Sequence, residues 1–143
     1  MRLYALIMCA LVTIMSTAAS AESWKIVRVS GEAWLFVPSA PKTRLSSGTD
    51  LPNGASIVTA GGARVMLRKN AETIVVGPNT SMAISASPGA GLKTTVLQRS
   101  GTLEVEVEKR NVRYFSVETP LLAAVVKGTR FVVRVNGKKA EVS

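Results

Sequence analysis

The residues of this sequence that could do chemistry are few. There is no histidine and a single cysteine, Cys9, and Asp50 is the one aspartate. Histidine is the commonest general base and metal ligand near neutral pH, so the usual routes to acid–base and metal-assisted catalysis are closed. No Gly-x-Ser-x-Gly elbow occurs, and no Gly-x-x-x-x-Gly-Lys-Ser/Thr phosphate loop, so neither an exposed nucleophilic serine nor a phosphate cradle is encoded. The chain reads as non-catalytic, with no cofactor and no metal site.

Two polar features remain. Glu104, Glu106 and Glu108 alternate along one segment, and hard cations take carboxylate oxygens. Neighbours on one strand face are spaced at twice the ~3.3 Å rise per residue, too far to share one ion unaided. A solvated face opposite Leu103, Val105 and Val107 is the plainer reading, with Lys109, Arg110 and Arg113 near enough to balance the charge. The second feature is a basic excess, with 18 Lys and Arg against 9 Asp and Glu for a net charge of +9. Arg64, Arg68 and Lys69 gather on one segment, and Lys127, Arg130 and Arg134 on another, while Lys138 and Lys139 sit in a turn. Such surfaces attract anionic lipid, acidic glycans or acidic protein faces. Arg130, Arg134, Arg64, Arg68 and Lys69 are the candidate partner surface. Nucleic acid is excluded by the expected export and by aromatics too sparse to stack bases.

These residues must be positioned by strands. The first 21 residues read as an address: Arg2 gives a short positive start, Leu3 to Ile14 is nearly continuous apolar sequence, and Ala19-Ser20-Ala21 offers a cleavage site. The apolar run is shorter than the ~18–20 residues of a membrane span. Cleavage after Ala21 and a periplasmic domain over residues 22–143 are expected; the alternative is anchoring by an uncleaved N-terminal segment. The mature chain would then hold no cysteine, and with Arg2 gone its net charge falls from +9 to +8. Its length suits one domain with one modest core.

Strand-like segments follow at short intervals, bounded by Gly, Pro, Asn or Ser: Trp24–Val29, Glu32–Val37, Ser56–Thr59, Ala63–Leu67, Glu72–Val76, Ser81–Ser85, Thr94–Leu97, Thr102–Glu108 and Val112–Glu118. The first two read as a hairpin broken at Ser30-Gly31, and Ser85 to Lys93 reads as a mobile loop. After Ala21 no helical period of useful length occurs. The last stretch is the most informative. Thr119-Pro120 turns the chain, Leu121 to Val126 is apolar, Lys127-Gly128-Thr129 interrupts, and Arg130 to Val135 alternates. Phe131, Val133 and Val135 then face a core while Arg130 and Arg134 share the other face with Val132. Asn136-Gly137 forms a tight turn, and Ala140 to Ser143 begins another strand. The fold is all-β: short antiparallel strands in a compact solenoid-like or a sandwich arrangement, after an N-terminal signal peptide.

Thr119-Pro120 followed by Val126-Lys127-Gly128-Thr129-Arg130-Phe131-Val132-Val133 resembles the hallmark of the FecR domain family. Gly31-Glu32-Ala33-Trp34, Leu45-Ser46-Ser47-Gly48 and Gly54-Ala55-Ser56-Ile57-Val58-Thr59 are similar to its earlier segments. The resemblance implies a coiled arrangement of short strands. It also implies structural roles for Thr119, Pro120, Val126, Lys127, Gly128, Thr129 and Phe131, with Gly128 and Thr129 at a tight crossing. In that family the domain is the periplasmic part of a membrane regulator that controls a sigma factor. Only Met1 to Tyr4 precede the apolar stretch here, so the anti-sigma role is not expected. FecR-like domains usually continue beyond this last hairpin, so the chain reads as a shortened form. The function expected is signalling or scaffolding through contact with another envelope protein. The alternative is binding of a cell-envelope polymer, peptidoglycan or an anionic glycan.

Overall fold

The computed structural model describes residues 23–87, 93–108, 115–126 and 129–143, with the backbone alone described at residues 86, 87, 93, 124–126 and 129. In chain order the strands are β1 (Lys25–Ser30), β2 (Ala33–Phe36), β3 (Thr43–Arg44), β4 (Ser56–Thr59), β5 (Arg64–Lys69) and β6 (Glu72–Val76). There follow β7 (Ser81–Ser87), β8 (Lys93–Val107), β9 (Phe115–Glu118), β10 (Ala123–Val126), β11 (Thr129–Asn136) and β12 (Lys139–Val142). No helix occurs among the described residues, so the alternation read from the sequence is realised as an all-β fold.

The strands make one curled sheet that β8 divides into two layers. Sheet I is β1-β5-β6-β8-β11-β12, using the second half of β8. Sheet II is β3-β2-β4-β7-β8-β9-β10, using its first half. The pairs are antiparallel except β8–β9, where Thr94–Leu97 run parallel to Phe115–Glu118. A solenoid would stack successive strands in parallel. The strands form one largely antiparallel sheet, curled so that its two halves face each other over a single core.

Inward residues of both layers form one core. Ile26, Val65, Leu67, Ile74, Val76, Leu103, Val105 and Val133 come from sheet I, and Ile57, Met82, Ile84, Val96 and Val117 from sheet II. Trp24, just ahead of β1, meets Phe115 of β9 edge to face at 6.5 Å between centroids, a favourable aromatic geometry across the layers. On one side the layers are stitched by residues 45–51. The Leu45 amide donates to the Ala33 carbonyl, the Ile26 amide to Thr49, and the Leu51 amide to Trp24 (2.9, 2.9 and 2.7 Å).

Three sequence expectations change. The segments around Ser30-Gly31 are not a hairpin: β1 pairs with β5 while β2 pairs with β3 and β4. Gly31, at φ +76°, is a corner at which the chain passes from sheet I to sheet II, and a Cβ there would lie 2.9 Å from the Ala63 Cα. The separate strands expected over Thr94–Leu97 and Thr102–Glu108 are one, because β8 runs unbroken through Gly101 and merely changes layer. The segment read as a mobile loop is partly strand, with Ala86 opposite Thr94 and Ser87 opposite Lys93. Ladder pairing is made by the backbone, so small side chains do not prevent it. Residues 88–92, and 112–114 of the expected strand ending at Glu118, lie outside the described residues, as do residues 1–22 with the expected leader. No helix among the described residues is long and apolar enough to cross a membrane.

The passages between layers are tied together at one end of the molecule. The Thr59 hydroxyl donates to the Gly77 carbonyl (2.6 Å) and accepts from the Thr80 amide (3.0 Å). The Thr80 hydroxyl donates to the Pro78 carbonyl (3.0 Å) and accepts from the Thr102 amide (3.0 Å). Buried Gln98 donates through Nε2 to the carbonyls of Gly101 (2.9 Å) and Val133 (3.1 Å). Buried polar groups that are paired in this way fix which strand passes which.

Candidate functional site

Two outward faces offer chemistry, one on each sheet. On sheet I, inward Val65 and Leu67 leave Arg64, Met66 and Arg68 of β5 pointing outward. Their partners on β1 are Ser30, Arg28 and Lys25 in the same order. A plain strand over Lys25–Ser30 would turn Arg28 inward with Ile26. The register shift between Ile26 and Arg28 is a β-bulge at Val27. It returns Arg28 to the outward face and lets Val29 pack against the core, as bulges do when they re-aim a side chain. Arg28, Ser30, Gly62, Arg64, Met66 and Val75 line a half-open depression of about 410 Å³ on this face.

Farther across the same face the charge is balanced. Arg130 lies opposite Glu106 in the β8–β11 register. Its Nε is 3.3 Å from Glu104 Oε1 and its Nη2 3.1 Å from Glu106 Oε2. These exposed pairs contribute about 0–1 kcal/mol each, and they account for two of the three alternating glutamates by ordinary ion pairing. Arg134 is exposed and lies opposite Thr102 and Glu141.

On sheet II the outward face carries an apolar row. Phe36 and Leu97 are 40% and 42% exposed. In the register they are the two ends of a row whose middle is Ser56 and Ala83. With Val58, Ser81, Met82 and Arg99 they enclose a groove of about 360 Å³. Small residues make the floor, and the two large side chains make the walls. Trp34 beside it is half-buried, with the Lys42 ammonium 4.7 Å from its ring centroid, a cation–π contact.

The partner surface expected from sequence is therefore divided. Arg64 and Arg68 share one face with Arg130 and Arg134, but Glu104 and Glu106 stand between the two pairs and hold Arg130. Lys69 is on the opposite side of β5, half-buried and opposite buried Glu72, because period two sends residue 69 the way of 65 and 67. Lys25 and Arg28 belong with Arg64 and Arg68, and sequence reasoning missed them; a bulge at Val27 has no local signature. Phe36 and Leu97 were also missed, since they lie far apart in the chain and meet only through three strand pairings.

The residues of the 119–131 motif take structural positions where they are described. Thr119 closes the β9–β10 turn: its hydroxyl accepts from the Leu121 and Leu122 amides (3.3 and 3.0 Å) and its amide donates to the Leu122 carbonyl (2.8 Å). Pro120 is exposed in that turn, where its fixed φ is an advantage. Val126 pairs through its backbone with Phe115 at the end of β10, and Thr129 with Val107 at the start of β11. Lys127 and Gly128 lie outside the described residues. Phe131 is buried in the core with Val133 and Val135.

Residues 55–143 match the family described as FecR protein. The match takes in β4 to β12 and the whole 119–131 motif, while the similar segments at Gly31–Trp34 and Leu45–Gly48 lie ahead of it. No curated protein and no solved structure matches the chain. With well over half of its residues matched, and the motif's turn and core residues in place, this chain belongs to the FecR family.

Proposed function

We propose that this chain is a non-catalytic, periplasmic signalling or scaffolding module that works by contact with another envelope protein. Membership of the FecR family points to a signalling-related module. A sequence without histidine leaves little for catalysis to use. The observation that carries the reading is the groove walled by Phe36 and Leu97. Two large apolar side chains stand exposed on a flat strand face, the kind of surface a partner covers. Its polar rim is basic: Arg99 lines the groove, and Arg44 lies opposite Trp34 beside it. The fitting partner is a protein that inserts an apolar side chain between Phe36 and Leu97 and sets an acidic group near Arg99.

Crosslinking in intact cells, with a photoreactive residue placed at Ser56 on the groove floor, tests this. One defined protein partner is expected, and Phe36→Asp or Leu97→Asp should abolish the adduct while leaving the thermal midpoint in place. An adduct that survives both changes overturns the reading.

A further inference from the structure

On the face of sheet I, Arg28 of β1 lies directly opposite Met66 of β5, whose neighbours on that face are Arg64 and Arg68. The arginines surround a floor of half-buried Met66 and Val75. All three are exposed, and none pairs with a described acid; the described ion pairs of this face are those of Arg130 with Glu104 and Glu106. Asp50 stands opposite Lys25 in an isolated bridge, so the cation at that end has an acid beside it. Elsewhere on the face, Glu104 and Glu106 lie across β6 from Met66 and Arg68 and are engaged by Arg130. A bulge has been spent on bringing Arg28 outward, and the depression it lines has an arginine on both sides.

We infer that the outward face of β1 and β5 binds a linear polyanion of the acidic-polysaccharide class, with Arg28 and Arg64 gripping one anionic group in the depression and Arg68 the next. The cluster is elongated: Arg64 and Arg68 are roughly 13 Å apart along the strand at ~3.3 Å per residue. A chain with repeated charges fits that spacing better than a single ion. Guanidinium groups hold planar oxyanions through paired N–H donors, and the flat floor of Met66 and Val75 suits the C–H face of a sugar ring. One edge of β1 is taken by β5 and residues 48–51 hold the other at Trp24 and Ile26, so only the bulged stretch from Val27 to Ser30 is left for an acidic peptide to add to as a strand, a poor template. The described aromatics are buried or on sheet II, so among the described residues this face has no platform for stacking bases and no aromatic anchor for a bilayer. The site is separate from the Phe36–Leu97 groove, so the two readings stand or fall independently.

Fluorescence anisotropy with labelled polygalacturonate tests the inference, with polyglutamate and phosphatidylglycerol vesicles as competing probes. At about 50 mM salt the protein should bind polygalacturonate most tightly and lose affinity as salt rises. The double variant Arg28→Gln/Arg64→Gln should bind it at least ~10-fold more weakly, a loss of 1.4 kcal/mol or more. Arg134→Gln, an exposed arginine on the same sheet, should stay within ~2-fold, and both variants should keep the thermal midpoint. Equal weakening by Arg134→Gln would reduce the effect to diffuse charge and overturn the site. Tighter binding of polyglutamate or of vesicles, or no binding of polygalacturonate at that salt, overturns the assignment as well.

Discussion

Gly101 is where β8 leaves sheet II and enters sheet I, and Gly101→Ala tests the corner most directly. Its φ is +88°, and a Cβ there would lie 2.5 Å from the Thr80 Cα and 2.7 Å from the Asn79 carbonyl oxygen. An L-residue in left-handed backbone costs about 1–2 kcal/mol, and forcing a methyl group into packed backbone adds about 1–3 kcal/mol. The Cβ would also fall on the Thr80 hydroxyl that accepts from the Thr102 amide (3.0 Å), so the clash is with main chain and a hydrogen-bonded hydroxyl, neither of which yields as the far end of a flexible side chain would. The sum is about 2–5 kcal/mol, against about 5–15 kcal/mol of total stability for a domain of ordinary size. Gly54→Ala is the control. Gly54 also has positive φ, +78°, but a Cβ there meets nothing within 4 Å, so only the backbone penalty of about 1–2 kcal/mol applies. Urea unfolding followed by far-ultraviolet circular dichroism separates them. With m about 1–3 kcal/mol/M, the Gly101→Ala midpoint should fall by roughly 0.7–5 M, more than the roughly 0.3–2 M of Gly54→Ala at the same m. Equal shifts would mean that β8 does not pass against residues 79–80, and the two-layer account of this strand would fail.

Other outcomes follow from the same geometry. Phe131→Ala, in the core beneath β8 and β11, should cost about 3–5 kcal/mol by lost burial plus the cavity left, read by the same titration. Arg134→Ala should change stability by less than ~0.5 kcal/mol, whereas Arg130→Ala should cost up to about 1 kcal/mol at low salt, shrinking as salt screens its two glutamates. Thr80→Val removes the acceptor of the Thr102 amide and should cost about 1–3 kcal/mol, with faster hydrogen exchange at Thr102 as a second readout. N-terminal sequencing of whatever protein is recovered from the periplasm should begin at Glu22 if, as proposed, the apolar stretch is a cleaved leader too short to anchor stably; Met1 in a membrane fraction would contradict this.

How much of this was legible in the chain depends on the range of the interaction. Period-two alternation is local, so the strand segments and the inward set of Phe131, Val133 and Val135 could be read directly. The Asn136-Gly137 turn and the Thr119-Pro120 turn were equally local. Pairing partners were not. Gly31 and Gly101 look alike in sequence to hairpin glycines, yet both are places where the chain changes layer. What marks such a corner is a neighbour remote in sequence, Ala63 for Gly31 and Thr80 for Gly101. The same limit hid both surfaces. Lys-Ile-Val-Arg-Val-Ser reads as a strand that would turn Arg28 inward; only pairing with Arg64–Lys69 exposes the bulge that corrects it.

That bulge bears on why the two faces differ. Each outward face is assembled from rows that cross several strands, so its chemistry belongs to the register and not to any one segment. On sheet II the row Phe36-Ser56-Ala83-Leu97 alternates large, small, small and large across four strands. A one-residue slip of β4 or β7 would turn inward residues outward and erase the groove. On sheet I the slip has been used once, at Val27, and its result is a third arginine beside Arg64 and Arg68. Because β8 is common to both layers, its register sets Leu97 in one face and Glu104 and Glu106 in the other. Gln98, bonded to Gly101 and Val133, holds that strand at the point where it divides. The apolar groove and the arginine cluster are thus spaced by a single strand system, so the polymer and the protein partner proposed for them would be held on different sheets.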